Sequence, residues 1–278
     1  MTIHETLKDA AQALFEAGVP DSRLDAELLL AHVLNFSRME LTLKAREALS
    51  PDALAAYFSL LKRRMNREPL QYITASQYFM GYDLYVDENV LIPRPETELL
   101  CEQALLWLRR QNLSSPGVLD LCTGSGALAV AIACQEHRAQ VFAADISDKA
   151  LAVAKRNART HHADVTFLQG DFLSAVSEMR FDLIVCNPPY IPAAECGTLQ
   201  AEVLYEPCIA LDGGTDGLGF YRKLALEAPS CLCPGGALFC EVGYGQAQAV
   251  SELFAPAFAQ IEVFNDLSRI PRIVSAIS

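Results

Sequence analysis

The sequence predicts an α/β fold in which a small all-α N-terminal domain is joined by a β-hairpin to an open sheet of seven strands. Three observations predict it. Apolar residues recur at helical spacing up to about residue 70, aromatic and polar residues alternate about Gly81 between residues 72 and 90, and from residue 117 short apolar runs alternate with helical or loop segments. At 278 residues the chain is long enough for two domains, which commonly run ~100–200 residues each. The expected division is a helical recognition domain over 1–71, a hairpin linker over 72–95 and a ligand-binding sheet domain over 96–278.

In the helical part Ile3, Leu7, Leu14 and Val19 follow one face and Gly18 closes the first helix. Asp21 opens a second helix with Leu24, Leu28, Leu29 and Val33 expected inward. Ser50-Pro51 gives another helix its N-cap and first-turn proline, with Leu54, Phe58 and Leu61 on the buried face. The run Lys62-Arg-Arg-Met-Asn-Arg67 is expected to be a solvated helix end that complements the helix dipole. The hairpin is expected over Tyr78 to Val86, and the following Leu91-Ile-Pro-Arg-Pro-Glu-Thr-Glu98 holds Arg94 on a stiff extended segment between two prolines. Glu96 to Gln111 reads as an amphipathic helix. The strands are expected at 118–121, 141–144, 165–168, 182–186, 237–242, 261–264 and 272–277, and their alternation with helices implies a parallel sheet covered on both faces.

Composition narrows the function. An apolar fraction of 51% with 20% charged residues is that of an ordinary globular enzyme. No apolar run approaches the ~20 residues of a membrane helix, and no secretory signal is visible, so a cytoplasmic protein without membrane contact is expected. Nine cysteines, an odd number set mostly in apolar patterns, are expected to be reduced thiols, and Cys231-Leu-Cys233 lacks zinc-ligand spacing, so no metal is expected. The net charge is −12; residues 1–75 hold 9 Lys and Arg against 10 Asp and Glu, a balance of −1 that leaves −11 for residues 76–278. A protein that grips a nucleic-acid backbone needs a basic face, so no direct nucleic-acid binding is expected. A monomer is expected.

The chemistry concentrates behind four of the strands. The first runs into Asp120-Leu-Cys-Thr-Gly-Ser-Gly126, whose glycines permit a tight turn and close ligand approach ahead of a helix N-terminus. Asp145 ends the second strand, where an acid can hold both hydroxyls of a ribose. Asp171 and Phe172 follow the third, placed to meet an adenine ring and its amino group. With neither a Lys-Ser/Thr pair after the glycines nor a third glycine in dinucleotide spacing, a nucleoside without pyrophosphate fits better, and S-adenosylmethionine is the candidate. Behind the fourth strand stands Asn187-Pro188-Pro189-Tyr190. Its carboxamide can accept and donate hydrogen bonds, its prolines stiffen a carbonyl acceptor, and its ring offers a face to a planar group, which suits an NH2 group that must be gripped.

These residues resemble the class I methyltransferases, with their Rossmann-like seven-stranded sheet, and more narrowly the HemK/PrmC family. That resemblance spans nearly the whole chain and is carried by Arg67-Glu-Pro-Leu-Gln-Tyr-Ile73, Leu91-Ile-Pro-Arg-Pro-Glu-Thr-Glu98, the glycine turn, Asn187-Pro-Pro-Tyr-Ile191 and Glu206-Pro207 with Ala210-Leu-Asp-Gly-Gly-Thr-Asp-Gly-Leu218. It implies transfer of a methyl group from S-adenosyl-L-methionine, leaving S-adenosyl-L-homocysteine, to the side-chain amide of a glutamine in class 1 peptide chain release factors, the implied partners. By resemblance, Cys122, Thr123, Gly124, Ser125, Gly126, Asp145, Phe172 and Asn187 contact the cofactor. Asn187, Pro188, Pro189 and Tyr190 hold the substrate, with Asn187 and Pro188 catalytic. Cys122 stands where the family usually has glycine, and Phe172 where many members carry tryptophan. The same Asn-Pro-Pro-Tyr turn also occurs in adenine-N6 nucleic-acid methyltransferases and in enzymes that modify a ribosomal protein, which are the alternative enzyme readings; a noncatalytic binding module is the alternative of another class.

Overall fold

The computed structural model describes residues 1–278, which divide into two units: Met1–Ser76 with Gln200–Tyr205, and Gln77–Leu199 with Glu206–Ser278. Three helices of the first unit begin at residues that cap them. Thr2 and Glu5 form a capping box on α1 (Ile3–Glu16), and Ser37 and Glu40 form another on the short α3 (Arg38–Leu43), which follows α2 (Ser22–Leu34). Ser50 accepts from the Ala53 N–H at the start of α4 (Pro51–Met65), and α5 (Leu70–Thr74) ends the unit's helices. Ile3, Leu14, Leu29, Leu30, Tyr57 and Leu61 make its core.

Two inward faces differ from expectation. Leu24 and Phe58 are exposed, and Ala26 and Tyr57 take the interior. The Tyr57 hydroxyl donates to the Ala26 carbonyl at 3.1 Å, so its ring can be buried with no polar atom left unpaired. The basic run is also corrected. Arg64 is 5% exposed and donates to Asp25 at 2.7 Å and to Glu202 at 2.8 Å, while Arg67 donates to both oxygens of Glu202 at 2.7 and 2.6 Å. The two guanidinium forks meet carboxylates, and that outweighs their hydration.

The second unit opens with the hairpin of β1 (Gln77–Phe79) and β2 (Tyr82–Leu84), turned at Met80 and Gly81, both with positive φ. After α6 (Pro95–Arg110) come β3 (Gly117–Leu121), α7 (Ala127–Gln135), β4 (Gln140–Asp145), α8 (Asp148–Thr160), β5 (Val165–Gln169) and β6 (Phe181–Cys186). They are followed by α9 (Gly219–Cys231), β7 (Leu232–Glu241), α10 (Ala247–Phe254), β8 (Gln260–Asn265) and β9 (Pro271–Ile277). The seven-stranded sheet has the order β5-β4-β3-β6-β7-β9-β8. Side chains alternate across it: Leu119, Leu121, Ile184 and Cys186 enter one core cluster, Val118, Leu183 and Val185 the other.

The sheet is not wholly parallel. β9 runs antiparallel between β7 and β8, because the connection from β8 is a tight turn in which Asp266 accepts from the N–H groups of Ser268 and Ile270, too short for a crossover. β7 also begins earlier than its apolar run, with a register shift opposite Phe181 and Leu183. The nine cysteines are free thiols, and no helix is long and apolar enough to cross a membrane.

Candidate active site

Chain order reverses between β3 and β6, so the turns behind β3, β4, β5 and β6 share one rim of the sheet, the usual place for a ligand in such folds. A cleft there has about 810 Å³ of free space, part of it open to solvent. Cys122 and Gly124 line it behind β3, Asp145 at the end of β4, Asp171 and Phe172 behind β5, and Asn187 and Pro189 behind β6.

The glycine turn is built from left-handed backbone. Cys122 has φ +62°, Gly124 φ +53° and Gly126 φ +81°. At Cys122 that conformation carries a Cβ and costs about 1–3 kcal/mol. Thr123, Ser125 and Gly126 do not line the cleft. Thr123 is buried and donates its hydroxyl to Asp120 at 2.5 Å, the buried Ser125 gives its carbonyl to Asn157, and Gly126 lies against Ala154, where a Cβ would approach to 3.0 Å. Asp120 also accepts the Ala129 N–H, while its Oδ1 has no partner, and burial pushes its carboxyl up to about 7.

Asp145 accepts one backbone N–H on each oxygen, from Ser147 and Gly124 at 2.9 Å, which fixes the carboxylate and leaves lone pairs for the cleft. Burial raises its pKa, opposed by those N–H groups. Phe172, at φ +55° and 6% exposed, is tilted against Phe220 with ring centroids 5.8 Å apart. Sequence reasoning did not select Phe220 or the segment Asn89 to Leu91, which also line the cleft. An aromatic residue directly after Gly219, at the end of a glycine-rich loop, was the signal available for Phe220. The lining contains two acids, no Lys or Arg, and apolar walls from Leu121, Ala144, Ile146 and the two Phe rings. This donor set fits a cationic nucleoside and does not fit a polyphosphate.

The turn behind β6 is held from several sides. Pro188 and Pro189 are buried. Gln246 donates to the Tyr190 carbonyl at 2.9 Å, Ile191 exchanges backbone bonds with Leu211 and Gly213, and Gly213 and Gly217 lie so close that a Cβ on either would collide with Tyr190 backbone. Asn187 donates Nδ2 to the Thr97 hydroxyl at 3.0 Å. Thr97 donates to Glu241 at 2.6 Å, and the Tyr190 hydroxyl donates to the other Glu241 oxygen at 3.2 Å. Thr97 lies inside the Pro-Arg-Pro-Glu-Thr-Glu block, and Glu241 is the acid that ends an apolar strand; those were their only marks in the sequence. Arg94 of the same block pairs with buried Glu206, which also accepts the Ile92 N–H at 3.0 Å.

The sheet order and the cleft at its switch point define a class I methyltransferase fold. Residues 101–206 match the family described as methyltransferase small domain, and residues 5–74 match the PrmC N-terminal domain. The chain belongs to the release factor glutamine methyltransferase family. It is 44% identical to the release factor glutamine methyltransferase of Geobacter sulfurreducens, over 98% of this chain and 95% of that one. It is 41% identical to that of Chlorobaculum tepidum, over 100% and 97%. Among solved structures, a methyltransferase from Pyrococcus furiosus matches with a TM-score of 0.53 at 19% identity, covering 71% of this chain and 89% of that one. A Thermus thermophilus 16S rRNA methyltransferase in complex with AdoMet and guanosine matches at 0.54 and 21%, covering 73% and 49%. These two likenesses concern the fold.

Proposed function

We propose that the protein transfers the methyl group of S-adenosylmethionine to the side-chain amide nitrogen, N5, of the glutamine in the Gly-Gly-Gln motif of class 1 peptide chain release factors. The relatives that carry this activity in their names match over nearly the full length, which favours glutamine over adenine or a ribosomal protein. The observation that carries the site reading is Asn187, set at the cleft with its carboxamide nitrogen already engaged by Thr97, which leaves its oxygen as the acceptor.

The cofactor, when bound, supplies an electrophilic methyl group on a sulfonium. Asp145 would hold the ribose hydroxyls, Phe172 would cover the adenine, and Cys122 and Gly124 would flank the amino-acid part. A glutamine amide nitrogen is a poor nucleophile because its lone pair is delocalised. Accepting its two N–H groups on Asn187 Oδ1 and the Pro188 carbonyl would fix the nitrogen and stabilise the positive charge that develops during transfer. Tyr190 would pack against the planar amide. Proton loss can follow transfer, and no general base is assigned. The helical unit would serve release-factor recognition.

The test is transfer of labelled methyl to a purified release factor and to its Gln→Ala variant at the Gly-Gly-Gln tip. Label on the first alone is expected; equal label on both refutes the reading.

A further inference from the structure

The Asn187 turn is wired into the protein on the side away from the substrate. Its carboxamide meets Thr97, Thr97 meets Glu241, and Glu241 meets Tyr190. The chain of contacts joins the first turn of α6 to the ends of β6 and β7, so residues 90 and 144 positions apart are brought together. Thr97 is 5% exposed and Glu241 2%.

A threonine hydroxyl has one hydrogen. Here that hydrogen goes to a carboxylate, which can only accept, so the lone pairs of Thr97 Oγ1 are what face Asn187. Only the NH2 end of the carboxamide can meet them. Rotating the Asn187 amide by half a turn would set Oδ1 against the buried Oγ1, two acceptors with no hydrogen between them. A carboxamide without this arrangement has two nearly equal orientations; with it, one.

We propose that Thr97 and Glu241 are positioning residues that select the carboxamide orientation of Asn187, so that its acceptor oxygen, and not its NH2 group, is offered to the substrate nitrogen. The inference rests on the glutamine-clamp reading above and deepens it. Through its second oxygen the same carboxylate fixes the Tyr190 hydroxyl, so one buried acid sets two side chains of the turn. Core packing alone does not call for this arrangement. A buried carboxylate whose hydrogen-bond donors are two hydroxyls is expensive to desolvate, and an apolar pair would join α6 to β7 at less cost. Burial raises the Glu241 carboxyl to about 7, the hydroxyls of Thr97 and Tyr190 opposing, so it remains ionised on the alkaline side of neutrality.

The experiment measures kcat with release factor at saturating cofactor, and cofactor Kd by calorimetry, on the full chain. Thr97→Val keeps the shape and removes the hydroxyl; kcat is expected to fall ~10–100-fold with cofactor Kd within about threefold, since misplacing a clamp costs rate. Thr97→Ser should return kcat to within about threefold of the parent, on the same ground that the hydroxyl is what positions the clamp. Glu241→Gln should lose as much as Thr97→Val, because a carboxamide can donate to Thr97 and let it turn its hydrogen toward Asn187. The double variant should be no worse than the poorer single one, as expected for one coupled unit. Unchanged kcat in Thr97→Val, or a loss in Thr97→Ser equal to that in Thr97→Val, overturns the proposal. Should Thr97→Val fail to fold, Glu241→Gln set against Thr97→Ser decides the same question. Asn187→Ala, run alongside, separates the two levels: if it keeps parental turnover the clamp itself is wrong, whereas an inactive Asn187→Ala beside a fully active Thr97→Val overturns only the positioning role.

Discussion

Each unit buries carboxylates, and two sets of them are satisfied by opposite means, although Glu206 of the sheet unit also keeps a guanidinium partner in Arg94. In the helical unit Asp25 and Glu202 meet the guanidinium groups of Arg64 and Arg67, and the cations outweigh burial at Glu202, holding it at about 2. In the sheet unit Asp120 and Glu241 meet hydroxyls and a backbone N–H with no cation in hydrogen-bond range, and burial wins, pushing both up to about 7. Charge pairing makes a joint; hydroxyl-bonded acids leave groups whose protonation can change near neutrality. The first arrangement suits a scaffold, the second a site where orientation and charge serve chemistry.

The largest expected effect breaks the joint. Arg64→Ala leaves two carboxylates short of a buried partner and should cost about 3–5 kcal/mol, read as denaturant unfolding of the helical unit. Its counterpart in the sheet unit should show as rate: Asn187→Ala is expected to lower kcat by ~10²–10³, with cofactor affinity changed only a few-fold in calorimetry.

pH sharpens the contrast. Asp120 and Glu241 have folded pKa values above their ordinary ones, so their contribution to stability is present at acid pH and is lost as pH rises through about 7. Glu202 runs the other way, contributing above its ordinary value and losing it as pH falls toward 2, with Asp25, raised by burial, opposing it. Amide protection measured across pH ~5 to ~8 should therefore weaken in the sheet unit by on the order of 3 kcal/mol per group, with no contribution from Glu202 in that range. In the same range kcat should rise with pH as Glu241 ionises. Thr97, Tyr190, Arg272 and Glu96 surround it, and Glu241→Gln should flatten that limb. The smallest effect is expected for Asp145→Ala, a weakening of cofactor binding by about 1–3 kcal/mol in calorimetry.

Much of this was legible because it is local. Strand positions followed apolar runs, the start of α4 followed Ser50-Pro51, and the rim residues stood at strand ends where the topology collects ligands. What escaped was long-range. The direction of β9 depends on the turn at Asp266, and the burial of Tyr57 depends on a carbonyl 31 residues away. The role of Arg64 depends on Glu202, 138 positions on. Thr97 stands in the Pro-Arg-Pro-Glu-Thr-Glu block and Glu241 closes an apolar strand, yet nothing in either neighbourhood announces that they touch. The glycine turn divides its residues between cleft and core. Left-handed φ at Cys122 and Gly124 opens the backbone to the cleft, while Thr123 and Ser125 between and beyond them turn inward to Asp120 and Asn157.

The most direct test is tandem mass spectrometry of a release factor incubated with the protein and S-adenosylmethionine. One added methyl group on the side-chain nitrogen of the Gly-Gly-Gln glutamine is predicted, absent when Asn187→Ala replaces the parent. A methyl group on any other residue, or an unchanged yield with Asn187→Ala, would contradict the account.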